Sequence, residues 1–278
     1  MLECPNLFPL DGKWVLMYSL IDLQDCQVIY LTGGFDFQTG KFHWQTMGAV
    51  DLGFDYYAQQ HFQDDRGRDL IMDWVGSWPF MPWFRGEYDT SALGWYGSLT
   101  LPRQIHLCPD GKLVSEPVSE VEKLRVHEQY YAPCVIEEAK PLPFTAGDGV
   151  HCEIIASFDS LETTAQQIVF HLRGSAEQET ELVFDLAKGE MIFDRTRSGN
   201  ISALRRKCLL ESASQSQLTI RIFLDSISIE FFTDGGQTTM TNNIFSNPES
   251  NELSISTVAG RTHLLGLRTY GLKSTVNA

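Results

Sequence analysis

Glu3, Cys4 and Pro5 open the chain as a carboxylate, a thiol and a proline in succession. A following proline biases Glu3 and Cys4 toward extended backbone, a setting in which an acid is held rigidly, although many strand-entry turns read the same way. Further carboxylates stand at Asp36, Asp55, Asp73 and Asp89, and flat aromatic faces at Tyr56, Tyr57, Trp74, Trp78 and Trp83. Such faces stack on the C–H surface of a sugar ring, and they equally pack between β-sheets. Asp36 reads as a turn residue, Asp55 equally as a ligand contact or a structural residue, and Asp73 and Asp89 as solvated or turn residues. The histidines, His43, His61 and His106 among them, show neither triad-like nor metal-ligand spacing. The six cysteines, Cys4, Cys26, Cys108, Cys134, Cys152 and Cys208, form no CxxC pair, so no zinc or other metal site is expected and they read as reduced, partly buried thiols. Glycine motifs of the phosphate-binding type are absent.

The elements that must position these residues are strands. KWVLMYSLI, QVIYLTGGFD, KFHWQTM and DLIMDWVGSW are short apolar or alternating runs separated by turn residues. Asp11–Lys13 (DGK) and Thr39–Lys41 (TGK) are hairpin turns. Up to about residue 110 the chain reads as meandering antiparallel strands, about four per sheet, as in propeller blades. Between Pro117 and Gly149 the pattern changes: VSEVEKLR places Val118, Val121 and Leu124 on one face of a short helix, and AKPLPFTAGDG reads as a connection. From His151 onward alternation returns, with LVFDL-AKG-EMIFD as a hairpin around Gly189, and the region suits a β-sandwich. Ser160–Gln167 reads as a loop with a turn.

Composition narrows the partners. The chain has 278 residues, 43% of them apolar and 12% aromatic, enough for a substantial core in one large β domain or two ordinary ones. A net charge of −15 argues against nucleic acid or an anionic membrane as partner. No apolar run has the length of a membrane span and no signal peptide is visible, so a cytoplasmic location is expected, with the proviso that a longer gene could encode a leader.

Four segments taken together, ECP at Glu3–Pro5, GGFDFQTGKF at Gly33–Phe42, VDLGFDYYAQQHF with LIMDWVGSW between Val50 and Trp78, and GWYGSLTLPRQI at Gly94–Ile105, resemble the glycoside hydrolase family of invertases, sucrose-6-phosphate hydrolases and fructanases. DSISIEFFTDGG, Asp225–Gly236, is similar to a strand pair in that family's sandwich. The resemblance implies an all-β chain made of about the last two blades of a five-bladed β-propeller (1–116), a linker with a short helix (117–149) and a β-sandwich (150–278). It implies Glu3 as general acid/base, Cys4 as the neighbour that tunes it, and Asp55, Tyr57 and Trp74 as sugar contacts, with a small carbohydrate such as sucrose or another β-fructoside as substrate and no cofactor. Trp78 and Trp83 are assigned to core or rim, and Arg85 and Arg103 are the cations open to a substrate phosphate.

The chain departs from the family pattern in one decisive respect: neither N-D-P nor R-D-P occurs, and these motifs carry the family's nucleophile and its second carboxylate. Smaller departures are Gln104, Tyr57, and Asp73 before Trp74. A retaining glycosidase needs two carboxylates about 5–5.5 Å apart, and Glu3 alone cannot both attack the sugar and protonate its leaving oxygen. The expectation is therefore an inactive fragment by itself, with an open sheet edge. A carbohydrate-binding protein without catalysis stays open, as does a homo-oligomer or a complex with a missing N-terminal half.

Overall fold

The computed structural model describes residues 1–21, 26–78, 97–199, 201, 203–210 and 215–275. Trp83, Arg85 and Asp89 lie outside them, as do Gly94, Trp95 and Tyr96 of the fourth motif. The first sheet is a meander of β1 (Leu2–Leu10), β2 (Lys13–Ile21), β3 (Cys26–Asp36) and β4 (Lys41–Ala49) in sequence order. The two-residue turn between β1 and β2 has Asp11 at φ 47° and Gly12 at φ 80°, the left-handed pair that a tight hairpin needs. The second sheet runs β5 (Tyr57–Gln63), β6 (Asp69–Val75), β8 (Arg103–Leu107) and β9 (Leu113–Pro117), with β7 (Ser98–Leu99) on β6. Phe8, Leu10, Val15, Met17, Val28 and Tyr30 of the first sheet meet Ile71, Ile105 and Leu113 of the second in one apolar layer. These are the two blades expected from the strand pattern.

The connection is shorter than the expected 117–149. Ser119–Leu124 is a 3₁₀ turn with Val118 and Val121 buried. From Arg125 the chain already belongs to the sandwich: β10 (Arg125–Tyr131) and β11 (Cys134–Glu137) pair with β22 (Arg261–Leu272), and β12 (Leu142–Phe144) with β21 (Glu252–Val258). Pro and Gly in this stretch mark edge strands and turns here, where the sequence suggested a tether. One sandwich sheet has the order β10-β22-β13-β18-β19-β20, with β13 (Cys152–Asp159), β18 (Gln217–Leu224), β19 (Ser228–Thr233) and β20 (Thr238–Asn243). The other is β12-β21-β14-β15-β16-β17, with β14 (Gln167–Gly174), β15 (Glu179–Asp185), β16 (Glu190–Arg197) and β17 (Arg205–Leu209). Phe158, Phe170, Phe184, Phe193 and Phe231 fill the space between them. No helix among the described residues is long and apolar enough to cross a membrane.

The blades are locked to the sandwich by charge. The segment 50–55 lies along β20 like an added strand: the amides of Leu52 and Asp55 donate to the carbonyls of Thr239 and Thr241. Gly53 allows this approach, because a Cβ there would sit 2.0 Å from the Thr241 carbonyl oxygen. Arg103, wholly buried, donates to Asp51 at 2.9 Å and to Glu230 at 2.7 Å, with the Phe232 ring 4.8 Å from its guanidinium carbon. Asp55 binds Arg195 at 2.6 Å and accepts the Asn243 amide at 2.8 Å. Asp73 is buried behind the same cluster, contrary to the expectation of a solvated residue. Burial is the largest influence on its carboxyl and raises its pKa well above the ordinary value; Asp51 and Glu230 push the same way, and Tyr56 and Arg103 oppose without prevailing.

Arg103→Met strands two buried carboxylates and is expected to cost about 3–5 kcal/mol in urea unfolding. Asp73 carries the opposite sign. Above the ordinary carboxyl value of 3.8 the unfolded chain releases this proton while the folded chain keeps it, so stability falls as pH rises toward the folded pKa. The slope is about 1.4 kcal/mol per pH unit in that window. The Tm advantage of Asp73→Asn over the wild type is therefore expected to grow between about pH 5 and about pH 7; a constant difference would show that Asp73 is ionised when folded.

Candidate active site

Glu3 sits in β1 opposite Ser19 of β2, and the register between these strands slips between Glu3 and Asn6. Cys4 occupies that bulge with φ 48°, a left-handed conformation where the following proline favours an extended one. Two donors offset the strain: Asn6 Nδ2 at 3.0 Å and Gln59 Nε2 at 3.1 Å both reach the Cys4 carbonyl. The facing strand β5 is irregular at the same level, with Ala58 at φ 61° and a register slip between Tyr57 and Gln60. Paired bulges turn the Glu3 and Tyr57 side chains toward each other, and the Tyr57 hydroxyl donates to Glu3 Oε2 at 2.5 Å. A charge-assisted bond of this length holds the carboxylate in one orientation.

A polar net ties the first sheet to the second beneath this pair. Buried Ser19 donates to Gln59 Oε1 at 2.9 Å and accepts the Ala58 amide at 3.0 Å. Asn6 Nδ2 also donates to the Gln59 carbonyl, and Asn6 Oδ1 accepts the His61 amide, both at 3.0 Å. None of Asn6, Ser19 and Gln59 stands out in the sequence. Asn6 is polar on a strand that otherwise reads as apolar and Gln59 belongs to the motif segment, but the bonds among them need two sheets to meet. The Cys4 thiol is held protonated, its pKa raised first by burial and then by the Glu3 charge.

Tyr57 is the cross-strand partner of Trp74 on β6, their rings 6.4 Å apart and steeply inclined, and Trp78 packs edge-on against Trp74 at 5.3 Å. Glycine makes room for the indole on two sides: a Cβ at Gly76 would lie 2.4 Å from Trp74 Cε2, and one at Gly97 would lie 2.3 Å from Nε1. Trp78 remains 47% exposed, so an aromatic wall faces solvent beside the acid.

The structure thus brings Glu3, Cys4, Tyr57 and Trp74 together. Asp55 is not among them. It is fully buried, with its carboxylate on Arg195 and the Asn243 amide, so it joins the blades to the sandwich and has no face for a sugar. Asp36 closes the β3–β4 turn by accepting from the Gln38 amide and the Thr39 hydroxyl. Arg103 is as buried as Asp55 and both its terminal nitrogens are engaged at the junction, which removes it as a phosphate contact. His61 stacks on Phe8 at 3.6 Å and bonds Asp69 at 2.8 Å, a packing role.

A second constellation appears only in three dimensions: His151 bonds Asp148 through Nδ1 at 2.7 Å and Ser226 through Nε2 at 2.8 Å. Its connectivity is that of a nucleophile relay. The Ser226 amide, however, donates to Asp225 Oδ1 at 2.6 Å, so it does not supply an oxyanion donor, and the Asp225 carboxylate lies 3.6 Å from His151. The trio ties two loops of the sandwich.

Residues 1–117 match the glycosyl hydrolases family 32 N-terminal domain and residues 120–270 the glycosyl hydrolases family 32 C terminal. A sucrose-6-phosphate hydrolase of Zymomonas mobilis is 34% identical over 249 residues, which is 86% of this chain and 46% of that protein. One from Staphylococcus xylosus is 28% identical over 279 residues, 95% of this chain and 53% of that protein. Among solved structures, sucrose-6-phosphate hydrolase from Lactobacillus gasseri superposes with a TM-score of 0.80 at 21% identity, covering 99% of this chain and 55% of that one. Exo-inulinase from Aspergillus awamori gives 0.79 at 22%, covering 99% and 57%. The chain spans about half the length of the curated relatives it matches.

Gln59→Leu leaves the Cys4 carbonyl and Ser19 short of partners and is expected to destabilise by about 1–3 kcal/mol, read by chemical denaturation. Wild-type stability in that variant would mean that the net does not hold the bulge.

Proposed function

The chain belongs to glycosyl hydrolase family 32, and from that premise we propose that it carries the acid/base side of a β-fructofuranosidase-type site acting on sucrose or a related β-fructoside. The observation that carries this reading is the Glu3–Tyr57 pair at the foot of an aromatic wall. Glu3 protonates the glycosidic oxygen as the bond to the fructosyl carbon breaks, then takes a proton from the water that completes hydrolysis, and the configuration is retained. Tyr57 keeps the carboxylate aimed by donating to one oxygen while the other faces the sugar. Trp74 and Trp78 supply flat apolar faces for the ring.

This reading takes the second carboxylate from outside the described residues. Asp36, Asp55 and Asp73 are committed to a turn, an ion pair and a buried cluster, and none stands across the site from Glu3. The first sheet supports a companion segment. Leu7, Leu16, Leu31 and Met47 are cross-strand neighbours in one apolar row over all four strands, with Leu7 42% and Met47 60% exposed. A face of this kind is suited to further blades of a propeller.

Fructose release from sucrose tests both parts. The 278-residue chain alone is expected to release none. Joined to the half that a family relative has and this chain lacks, it is expected to be active, with Glu3→Gln lowering kcat about 10²–10⁴-fold. Release by the chain alone that vanishes in Glu3→Gln would place the second carboxylate inside the chain. Release indifferent to Glu3→Gln would remove Glu3 from the chemistry.

A further inference from the structure

The outer face of the second sandwich sheet carries a polar row over an apolar core. Ser254 on β21, His171 on β14, Glu181 on β15, Asp194 on β16 and Arg205 on β17 are successive cross-strand partners. Glu179 precedes Glu181 by two residues on β15, so both carboxylates emerge on the face that bears His171. We propose that His171, Glu179 and Glu181 form a site for a first-row divalent cation of the zinc type, with Nδ1 and one oxygen from each carboxylate as ligands and a fourth position open to water.

The spacing is that of a coordination shell. His171 Nδ1 lies 3.0 Å from Glu179 Oε1 and 3.6 Å from Glu181 Oε1, and the three groups offer atoms that all lie within 4.8 Å of one another. In a tetrahedral zinc site with bonds of about 2.0–2.1 Å, ligand atoms stand about 3.3 Å apart, a value the two His–Glu distances bracket. The far side of the ring is also fixed. His171 Nε2 is 2.7 Å from Ser256 Oγ; when Nε2–H donates to that hydroxyl, the Nδ1 lone pair faces the carboxylates, which is the tautomer a metal ligand needs.

The local charges fit a cation. Glu179 and Glu181 stand side by side on β15, and both reach the same ring nitrogen of His171. Arg197 approaches the other oxygen of Glu179, Oε2, at 3.6 Å and so leaves Oε1 to the ion, while Arg205 is held on Asp194 at 2.6 Å. Without an ion, the Nδ1–H of His171 can donate to Glu179 and the Glu179–Glu181 repulsion persists. With one, three ligands on two strands are cross-linked and that repulsion is relieved. The site lies on the sandwich and its presence does not depend on the glycosidase reading.

The test uses the full 278-residue chain, stripped with chelator and dialysed against Zn²⁺ alone. Wild type is expected to hold one Zn²⁺ per chain and to show a Tm that rises with Zn²⁺ concentration. His171→Ala and Glu181→Gln are expected to weaken binding at least about tenfold and to abolish the rise in Tm. The Gln variant keeps side-chain volume and hydrogen bonding, so it stays informative if the Ala variant folds poorly. Co²⁺ separates this site from the thiols: tetrahedral ligand-field bands without thiolate charge transfer, lost in Glu181→Gln, support it. Equal Zn²⁺ binding by wild type and both variants, or a Co²⁺ spectrum dominated by thiolate charge transfer, overturns it.

Discussion

The guanidinium of Arg103 sits at the centre of the blade–sandwich junction, and the relative placement of the two units depends on it. It holds Asp51 from the segment between the two blades and Glu230 from β19 of the sandwich, both with side chains almost wholly removed from water. Burying an ion pair brings little net stability over apolar packing, but it tolerates only one geometry, because a displaced partner is left charged in a low dielectric. Asp55 with Arg195 repeats the device four residues along the segment. Between them the 50–55 segment is fixed against β20, and Tyr57 begins β5 two residues later, so the strand that carries Tyr57 inherits its position from the junction.

The acid's environment is built by irregularity. Regular strands would leave Glu3 and Tyr57 at fixed positions along two sheets with no means of convergence. Left-handed residues at Cys4 and Ala58, on facing strands, give both side chains a local change of direction. Such strain persists only where the surroundings over-determine it, and here Asn6, Ser19 and Gln59 do so with bonds to the bulged backbone. The glycines around Trp74 serve the opposite end: they remove side chains so that a large ring can occupy the wall.

The molecule concentrates polar function on otherwise apolar sheets in three places, with a different solvent regime in each. At the junction the charges are dry and paired, and the pKa of one carboxyl, Asp73, is raised because burial outweighs the nearby Tyr56 and Arg103. At Glu3 the side chain is half-buried and held by one phenol. On the outer sandwich face His171, Glu179 and Glu181 are partly exposed, which suits an ion arriving from solution.

The strand pattern and the hairpins at Asp11–Gly12 and around Gly189 were legible in the sequence, because alternation and turn residues are local properties of a chain, and a short motif singled out Glu3. Tyr57 and Trp74 were legible for the same reason, as neighbours in motif segments. The role of Asp55 was not. A buried aspartate and a sugar-binding aspartate have the same one-letter surroundings, and only the arrival of Arg195, 140 residues away, separates them. The sandwich strands inside the expected linker were equally hidden, since Arg125–Tyr131 and Cys134–Glu137 gain their hydrogen bonds from β22 near the other end of the chain. Gln59, Ser19, the Asp148–His151–Ser226 tie and the His171–Glu179–Glu181 trio belong to the same class. The bonds of Gln59 and Ser19 and the Ser226 end of the tie join residues far apart in the chain, and the trio depends on a hairpin register, so neither shows as a spacing pattern.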